Sequence, residues 1–332
     1  MKYLLDGKKV LVIAPQFFGY ETEICDELKR RGAKVDFLLD RPFASPFMKA
    51  VTRLRRQWVI KAADRYYTEQ VEQAETTEYD YVFVVNGQTL STTILERWHK
   101  LFQGAVFVLY MWDSFGNRRW VLDNLKYFHH VFTFDRNDAA KYGLNFRPLF
   151  FSRGFEVVAP EQAEFDISFI GTAHTDRYQV LTKVDRALGP SIKKHWYLFL
   201  QAKWVYLTYK LTNKGFRGAS ASDFKFDSLD KSTVQRIFFS SKTILDIEHP
   251  QQTGLTMRSL ETLGARKKLI TTNAAVREYE FFSENNICVI DRRAPVIPHG
   301  FLESEYIDIP AEVYQRYRLE GWLDEILEVV TA

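Results

Sequence analysis

The sequence predicts an α/β protein of two domains, each a parallel sheet covered by helices on both faces, with a cleft between the two domains. Three observations carry this expectation. Short apolar runs alternate along the chain with longer stretches of helical periodicity, the pattern of repeated strand–helix–strand units. The chain has 332 residues, more than one core usually spans. A polar junction, VVAPEQAEFD at 157–166, separates two such series. The expected domains are therefore 1–157 and 158–332, the last helix returning to pack on the first domain.

Lys9 to Pro15 (KVLVIAP) is a buried first strand, followed by the loop QFFGYE and a helix from Glu21 to Arg31 that Gly32 ends. Ala33–Leu39 and Tyr79–Val85 are the second and third strands. Between them, residues 45–75 are mostly helical. Thr92–Leu101 is a helix and Ala105–Tyr110 a fourth strand running into MWDSFGNRR. Trp120–Tyr127 is helical, Val131–Phe134 a fifth strand, Arg136–Tyr142 a short helix and Phe146–Phe151 a sixth strand.

After the junction, DISFIG at 166–171 opens the second series, and TAHTDR leads into a helix from Arg177 to Leu188. HWYLFLQAKWVYLTYKL at 195–211 reads as a strand and then an amphipathic helix near a membrane surface, and KGFRGASASDFKF as loop. A short helix lies within Leu229–Ser240. Beyond the second α/β unit described below come a helix at Ala275–Phe281, a strand at Ile287–Ile290, a Pro-containing loop at 292–304 and a largely helical Ala311–Val329.

Composition excludes several classes. The chain is 46% hydrophobic and 15% aromatic, too apolar for disorder, and its net charge of +3 carries no overall bias towards polyanions. Two cysteines, Cys25 and Cys288, make no disulfide framework and suggest a reducing compartment. The start MKYLLDGKKVLVIAP does not read as a signal peptide, and no apolar run reaches membrane-spanning length. The turn after the first strand has only Gly19 and lacks GxGxxG, which argues against an ordinary NAD or FAD dehydrogenase. No HxH or HExxH occurs, so no structural zinc and no tightly bound cofactor are expected. FMKAVTRLRRQWVIKAADRY at 47–66 holds six Lys or Arg against one Asp. It is either an interfacial helix on anionic lipid or a partly solvated helix with its apolar side on the sheet. No nucleic-acid recognition motif accompanies it.

The most informative stretch is Lys242–Asn273, KTILDIEHPQQTGLTMRSLETLGARKKLITTN. Thr243–Ile247 is a strand and Glu248–Gly254 a polar loop. A helix starts near Leu255 or Thr256 and stops at Gly264, and Lys268–Thr271 is the next strand. Met257, Leu260 and Gly264 share one side of the helix, Arg258 and Glu261 another. Polar groups thus gather at the carboxyl end of a strand, where open α/β sheets bind ligands. The plainer alternative is a solvated Arg–Glu pair.

The two-domain layout, and within it residues 166–177 and 243–273, resembles the GT-B glycosyltransferases of bacterial cell-surface polysaccharide synthesis. It looks most like the group that makes lipopolysaccharide, capsule and spore-coat glycans. The resemblance implies two Rossmann-like domains, the first holding the acceptor and the second the nucleotide sugar. It implies that Glu261 grips the donor ribose, with Gly254, Leu255, Thr256 and Met257 over the phosphates or ribose, and that Gly171, Thr172, His174 and Arg177 lie near the diphosphate. The family's second glutamate, seven or eight positions earlier, is absent here: Thr253 stands eight before Glu261. The implied partner is a glycan or glycolipid acceptor, and the implied location is cytoplasmic, peripheral at the inner membrane face.

Sugar transfer needs a base for the acceptor hydroxyl, positive charge for the departing phosphate and a nucleotide pocket. Arg177 and Arg258 suit the phosphates because an Arg fork matches phosphate oxygens. His174 is suited to hydrogen-bond or protonate the leaving phosphate. Glu248 and His249 are ranked as donor-binding. Asp113, following the fourth strand, is the base candidate, its alternative role being to cap the next helix. Trp112 is suited to stack on a sugar, Arg118 and Arg119 to hold a charged acceptor, and Gln16, Tyr20 and Asn86 to line the acceptor side. Asp135 is a second acid candidate. Two other readings share this fold class: a non-catalytic sugar- or nucleotide-binding protein, and a nucleotide-sugar epimerase.

Overall fold

The structure, a computed structural model, describes residues 4–42, 57–72, 78–156, 162–250 and 252–331. It divides into two units, residues 1–148 with 319–332, and residues 149–318. Each is built on a parallel β-sheet, in agreement with the alternating pattern.

In the first unit β1 (Lys9–Ala14), β2 (Lys34–Leu39), β3 (Tyr81–Val85), β4 (Val106–Met111), β5 (His130–Thr133) and β6 (Asn145–Phe146) form a sheet of order β2-β1-β3-β4-β5-β6. Its pairs are all parallel, with Val10 beside Val35 and Tyr81, and Val82 beside Phe107. Parallel strands need crossovers, and helices α1 (Tyr20–Arg30), α2 (Gln57–Glu72), α3 (Thr92–Leu101) and α4 (Arg136–Tyr142) with a 3-10 helix at Arg119–Tyr127 supply them. On α2 the residues Val59, Ala63, Tyr67 and Val71 recur every fourth position and are buried, while Lys61 and Arg65 face solvent. Residues 47–56 of the basic segment lie outside the described residues.

The expected sixth strand at Phe146–Phe151 is only Asn145–Phe146. Arg147 N–H still donates to Thr133 O at 3.0 Å, but Pro148 has no N–H to continue the ladder. The expected terminal helix is split into α9 (Ala311–Arg316) and α10 (Leu319–Val330), and the unit boundary falls in the break.

Helix α10 belongs to the first unit. Trp322 is fully buried, its ring set edge-on to Phe83 and Tyr110. Beside it the buried Arg31, at the end of α1, donates to Glu27 (2.9 Å), Asp324 (2.6 Å) and the Glu320 carbonyl (2.9 Å). Arg147 reaches Glu325 at 2.9 Å. Apolar burial holds the helix down, and the arginines fix its position along the sheet.

In the second unit β7 (Phe165–Thr172), β8 (Lys194–Phe199), β9 (Ser241–Asp246), β10 (Lys268–Thr271) and β11 (Ile287–Val289) form a parallel sheet of order β11-β10-β9-β7-β8. Its helices are α5 (Arg177–Ala187), α6 (Lys203–Thr212), α7 (Lys231–Phe239), α8 (Met257–Gly264) and α9. The strand and amphipathic helix read at 195–211 are both present. The core joins Ile167, Phe169, Leu198, Leu245 and Ile270 of the sheet to Val180, Leu181 and Val184 of α5. At Gly264 a Cβ would come 2.6 Å from the Phe151 ring, so the residue closing α8 is set by a close approach.

Arg31→Met removes the cation shared by Glu27 and Asp324. It should destabilise the protein by about 3 kcal/mol or more, because Glu27 is left buried without that partner. Urea denaturation followed by tryptophan fluorescence measures this, and Lys29→Ala, at an exposed pair, should change stability by less than about 1 kcal/mol.

Candidate functional site

In each sheet the chain starts in the middle and builds outward in both directions, so each has a switch point where successive crossovers leave on opposite sides. The carboxyl-end loops flanking that point diverge and open a crevice. In the second unit the strands at the switch point are β7 and β9.

Arg177 begins α5 after the β7 loop. Its Nε donates to Ile247 O beyond β9 (2.6 Å) and its Nη1 to Thr172 O (3.2 Å). A Cβ on Gly171 would touch Arg177 Nη1 at 3.4 Å and the Phe169 ring at 2.8 Å, so glycine lets the guanidinium lie across the strand end. Burial lowers the Arg177 pKa, Asp246 and Glu248 oppose that, and Arg258 and Arg292 add to it. The guanidinium is therefore spanned by carbonyls and lies in the field of two other cations.

Asp246 ends β9 and is buried. It accepts Thr256 Oγ1 (2.6 Å) and Ser259 Oγ (2.7 Å) from the first turn of α8. Thr256 also caps α8 by accepting the Ser259 N–H. Glu248 is buried too: Thr272 Oγ1 donates to one oxygen and Arg292 Nη2 to the other at 2.6 Å, while Arg292 Nη1 bonds Asp176 at 2.9 Å. Burial lowers the Arg292 pKa, but Glu248 and Asp176 outweigh it and the net shift is upward.

The remaining predicted donor residues surround this cluster. His174 and His249 approach with ring centroids 5.9 Å apart. Thr175 has a left-handed backbone (φ 54°), and Asn213 Nδ2 holds its carbonyl at 3.2 Å. Gly254 and Leu255 are buried and Met257 is half-buried. Asn273 Nδ2 clamps the loop through the carbonyls of Thr253 (3.2 Å) and Gly254 (3.3 Å). Arg258 bonds Glu261 at 2.8 Å and lies 5.0 Å from the Phe238 ring centroid. Burial lowers Arg258 to about 10 and pushes the Glu261 carboxyl well above its usual range. Glu261 is thus not an open surface acid: one oxygen is taken by Arg258.

In the first unit the switch-point strands are β1 and β3. Gln16, Phe17 and Phe18 after β1 are exposed, and the Phe17 ring lies 6.1 Å from Tyr20 and 6.3 Å from Trp112. Tyr20 is buried. Asn86, at φ 65°, accepts the Trp112 N–H at 3.1 Å, joining the loops after β3 and β4. Asp113 Oδ1 accepts Ser114 N–H (3.0 Å) and Asn117 Nδ2 (2.9 Å), and Oδ2 pairs with Arg118 at 2.9 Å. Arg119 is exposed. Asp135 caps α4 through Asn137 and Asp138 N–H.

Several residues were not singled out from sequence. Asp246 carries a visible signal, a charge at the end of an apolar run in TILDIE. Arg292 carries none, because its partner Glu248 lies 44 residues away. Asp40, just past β2, is fully buried: Oδ1 accepts Thr89 N–H at 3.3 Å, and Oδ2 has no hydrogen-bond partner among the described residues. Burial raises its carboxyl to about 6, against smaller lowering effects from Thr89, Arg41, Gln88 and Arg118. Among the described residues no group of three His, Cys, Asp or Glu could hold a metal.

No family model and no curated protein sequence matches the chain. Solved structures do. A glycosyltransferase from Rickettsia africae aligns over 98% of this chain and 98% of its own at 10% identity and TM-score 0.60. Anabaena HepE, crystallised with UDP and glucose, aligns over 98% and 100% at 10% identity and TM-score 0.58. A Neisseria meningitidis UDP-GlcNAc 2-epimerase bound to UDP-GlcNAc aligns over 97% and 99% at 12% identity and TM-score 0.53. At these identities the likeness is one of fold, and the two parallel-sheet units have the GT-B architecture.

Asp40 makes stability depend on pH with a definite sign. Its folded pKa, about 6, exceeds the ordinary 3.8, so the folded state binds more protons between these values and stability falls as pH rises through 6. Asp40→Asn keeps the acceptor for Thr89 and removes the buried charge. The variant should match wild type near pH 4 and be more stable by on the order of 2 kcal/mol at pH 7.5, read as the difference between paired urea titrations.

Proposed function

We propose that the protein is a glycosyltransferase that moves a sugar from a nucleotide-sugar donor bound in the second unit to a glycan or glycolipid acceptor bound in the first. The observation that carries this reading is the convergence of Arg177, Arg258 and Arg292 at the switch point of the second sheet, beside the amino terminus of α8. The end of a helix and a cluster of guanidinium groups together suit a diphosphate. Cell-surface polysaccharide synthesis, capsule or lipopolysaccharide, is the setting in which we place it.

In this reading Arg177 is the main phosphate ligand, because its hydrogen bonds go to the carbonyls of Ile247 and Thr172 and not to a carboxylate. Arg258 approaches the same phosphates, with Gly254, Leu255, Thr256 and Met257 forming the adjoining wall. Glu261 holds the ribose, and Glu248 and His249 the sugar side. Gly171 and Thr172 floor the site, and His174 donates a hydrogen bond to the leaving phosphate. In the first unit Asp113 takes the acceptor proton. Its Oδ2 is occupied by Arg118, so an acceptor bearing a phosphate or carboxylate would compete for Arg118 and release the base. Gln16, Tyr20, Asn86 and Trp112 complete the acceptor side.

The similarity to an epimerase keeps a second reading open on fold grounds. An epimerase would convert the nucleotide sugar with no acceptor present, whereas a transferase needs one for transfer and a binding protein turns nothing over.

A thermal-shift screen against UDP, GDP, CDP, CMP and ADP sugars identifies the donor class by its stabilisation. With that donor, Arg177→Gln should weaken binding by about tenfold to a hundredfold, the loss of one or two charge-assisted hydrogen bonds. Asp113→Asn should bind the donor as wild type does and lose transfer. Equal donor affinity in wild type and Arg177→Gln would sink the phosphate assignment.

A further inference from the structure

The second unit carries an unpartnered apolar face that the proposed reaction does not use. On α6, Trp204, Leu207 and Leu211 are 69%, 58% and 87% exposed. Their spacing of three and four residues sets them on one side of the helix, opposite the side on which Val205 and Tyr206 are buried and Tyr209 meets the Phe216 ring at 5.1 Å. The Tyr206 hydroxyl donates to Ala219 O at 2.9 Å, which anchors the inner face. The apolar stripe therefore points straight out of the fold, and folding itself gives it no partner.

The charge along the chain through this stripe is of one sign. From Arg186 to Ser222 the sequence contains seven Lys or Arg and no Asp or Glu. Lys203 and Lys210 flank the stripe on the helix, and Lys214 and Arg217 follow it, all exposed. Lys203 stands in the first helical turn, where the backbone dipole disfavours a cation, and α6 has no side-chain N-cap to offset that. Its position suits an external anion better than it suits the helix. On the other flank Thr208 and Thr212 donate their hydroxyls back to the carbonyls of Trp204 (3.0 Å) and Thr208 (2.8 Å). These hydroxyls keep a partner when water is removed.

We infer that α6 docks this unit on an anionic lipid surface, with Trp204, Leu207 and Leu211 entering the headgroup–acyl boundary and Lys203, Lys210, Lys214 and Arg217 meeting the lipid charges. The mode is interfacial, since no helix among the described residues is long and apolar enough to cross a membrane. Lys210 donates to the Tyr206 hydroxyl at 3.0 Å and is still exposed, and a tryptophan and leucine stripe beside exposed lysines is the arrangement such binding requires. The inference is independent of the chemistry proposed above and names a surface distinct from 47–66.

Sedimentation with vesicles tests it, using full-length protein and either phosphatidylcholine alone or equal parts phosphatidylcholine and phosphatidylglycerol. Wild type should bind the anionic vesicles and dissociate as salt is raised. Replacing Trp204, Leu207 and Leu211 together with Gln should weaken binding by about tenfold or more, as should Lys203→Glu with Lys214→Glu. All five side chains are exposed, and an unchanged circular dichroism melt establishes that the fold is intact. Undiminished vesicle binding by the Gln variant would overturn the proposal. So would sedimentation velocity showing a wild-type dimer that the Gln variant abolishes while lipid binding persists, which would assign the face to a second copy of the chain. Loss of vesicle binding only on charge reversal within 47–56 would move the docking surface to the basic segment.

Discussion

Charged groups taken out of water at the carboxyl end of the second sheet are costly unless each finds partners, and much of that unit's local structure supplies them. An isolated buried guanidinium or carboxylate would cost several kcal/mol even after relaxation. Arg177 is stabilised by two carbonyls, Glu248 by Thr272 and Arg292, and Asp246 by Thr256 and Ser259. These partners come from the loop after β7, the ends of β9 and β10, the first turn of α8 and the segment after β11. The absence of a side chain at Gly171 and the clamp from Asn273 onto the Gly254 loop follow from the same need.

The first unit has the same kind of switch point with different chemistry. Its crevice is lined by Phe17, Trp112 and the Asp113–Arg118 pair, so aromatic and acidic groups stand where the second unit presents arginines. One sheet plan thus carries a network of arginines and carboxylates at its edge in one unit and a more aromatic edge in the other. Asp40 is a fully buried carboxyl whose Oδ2 has no hydrogen-bond partner among the described residues, and it makes this edge sensitive to pH. Helix α10 closes the same unit through Trp322 and the shared cation of Arg31.

Much of this was legible in the residues. Apolar runs such as KVLVIAP and DISFIG match β1 and β7 because a parallel strand is buried on both faces and carries no alternation. Thr92–Leu101 and Arg136–Tyr142 match the expected helices, and the structure shows Ser91 and Asp135, the latter expected as an acid candidate, capping them. The strand expected at Phe146–Phe151 stops early because Pro148 cannot donate to the ladder, and the break between α9 and α10 has no turn signature. The site was legible where a motif is contiguous, as in Lys242–Asn273, and not where partners meet across the sheet.

The sequence by itself determined which segments become strands and helices and that two parallel sheets result, because period and burial are written residue by residue. It also determined that Arg177 and Arg258 stand at helix starts near strand ends, with Glu261 one turn further along on the side of Arg258. Only the tertiary structure decided what those side chains face. Arg292 reaches Glu248, the Arg258–Glu261 pair is taken out of solvent, Arg177 meets carbonyls, and Trp204, Leu207 and Leu211 are left outside the core. The reason is physical: pairing of buried charge and coverage of apolar surface depend on distance in space, and chain spacing carries no record of which loops a sheet will bring side by side.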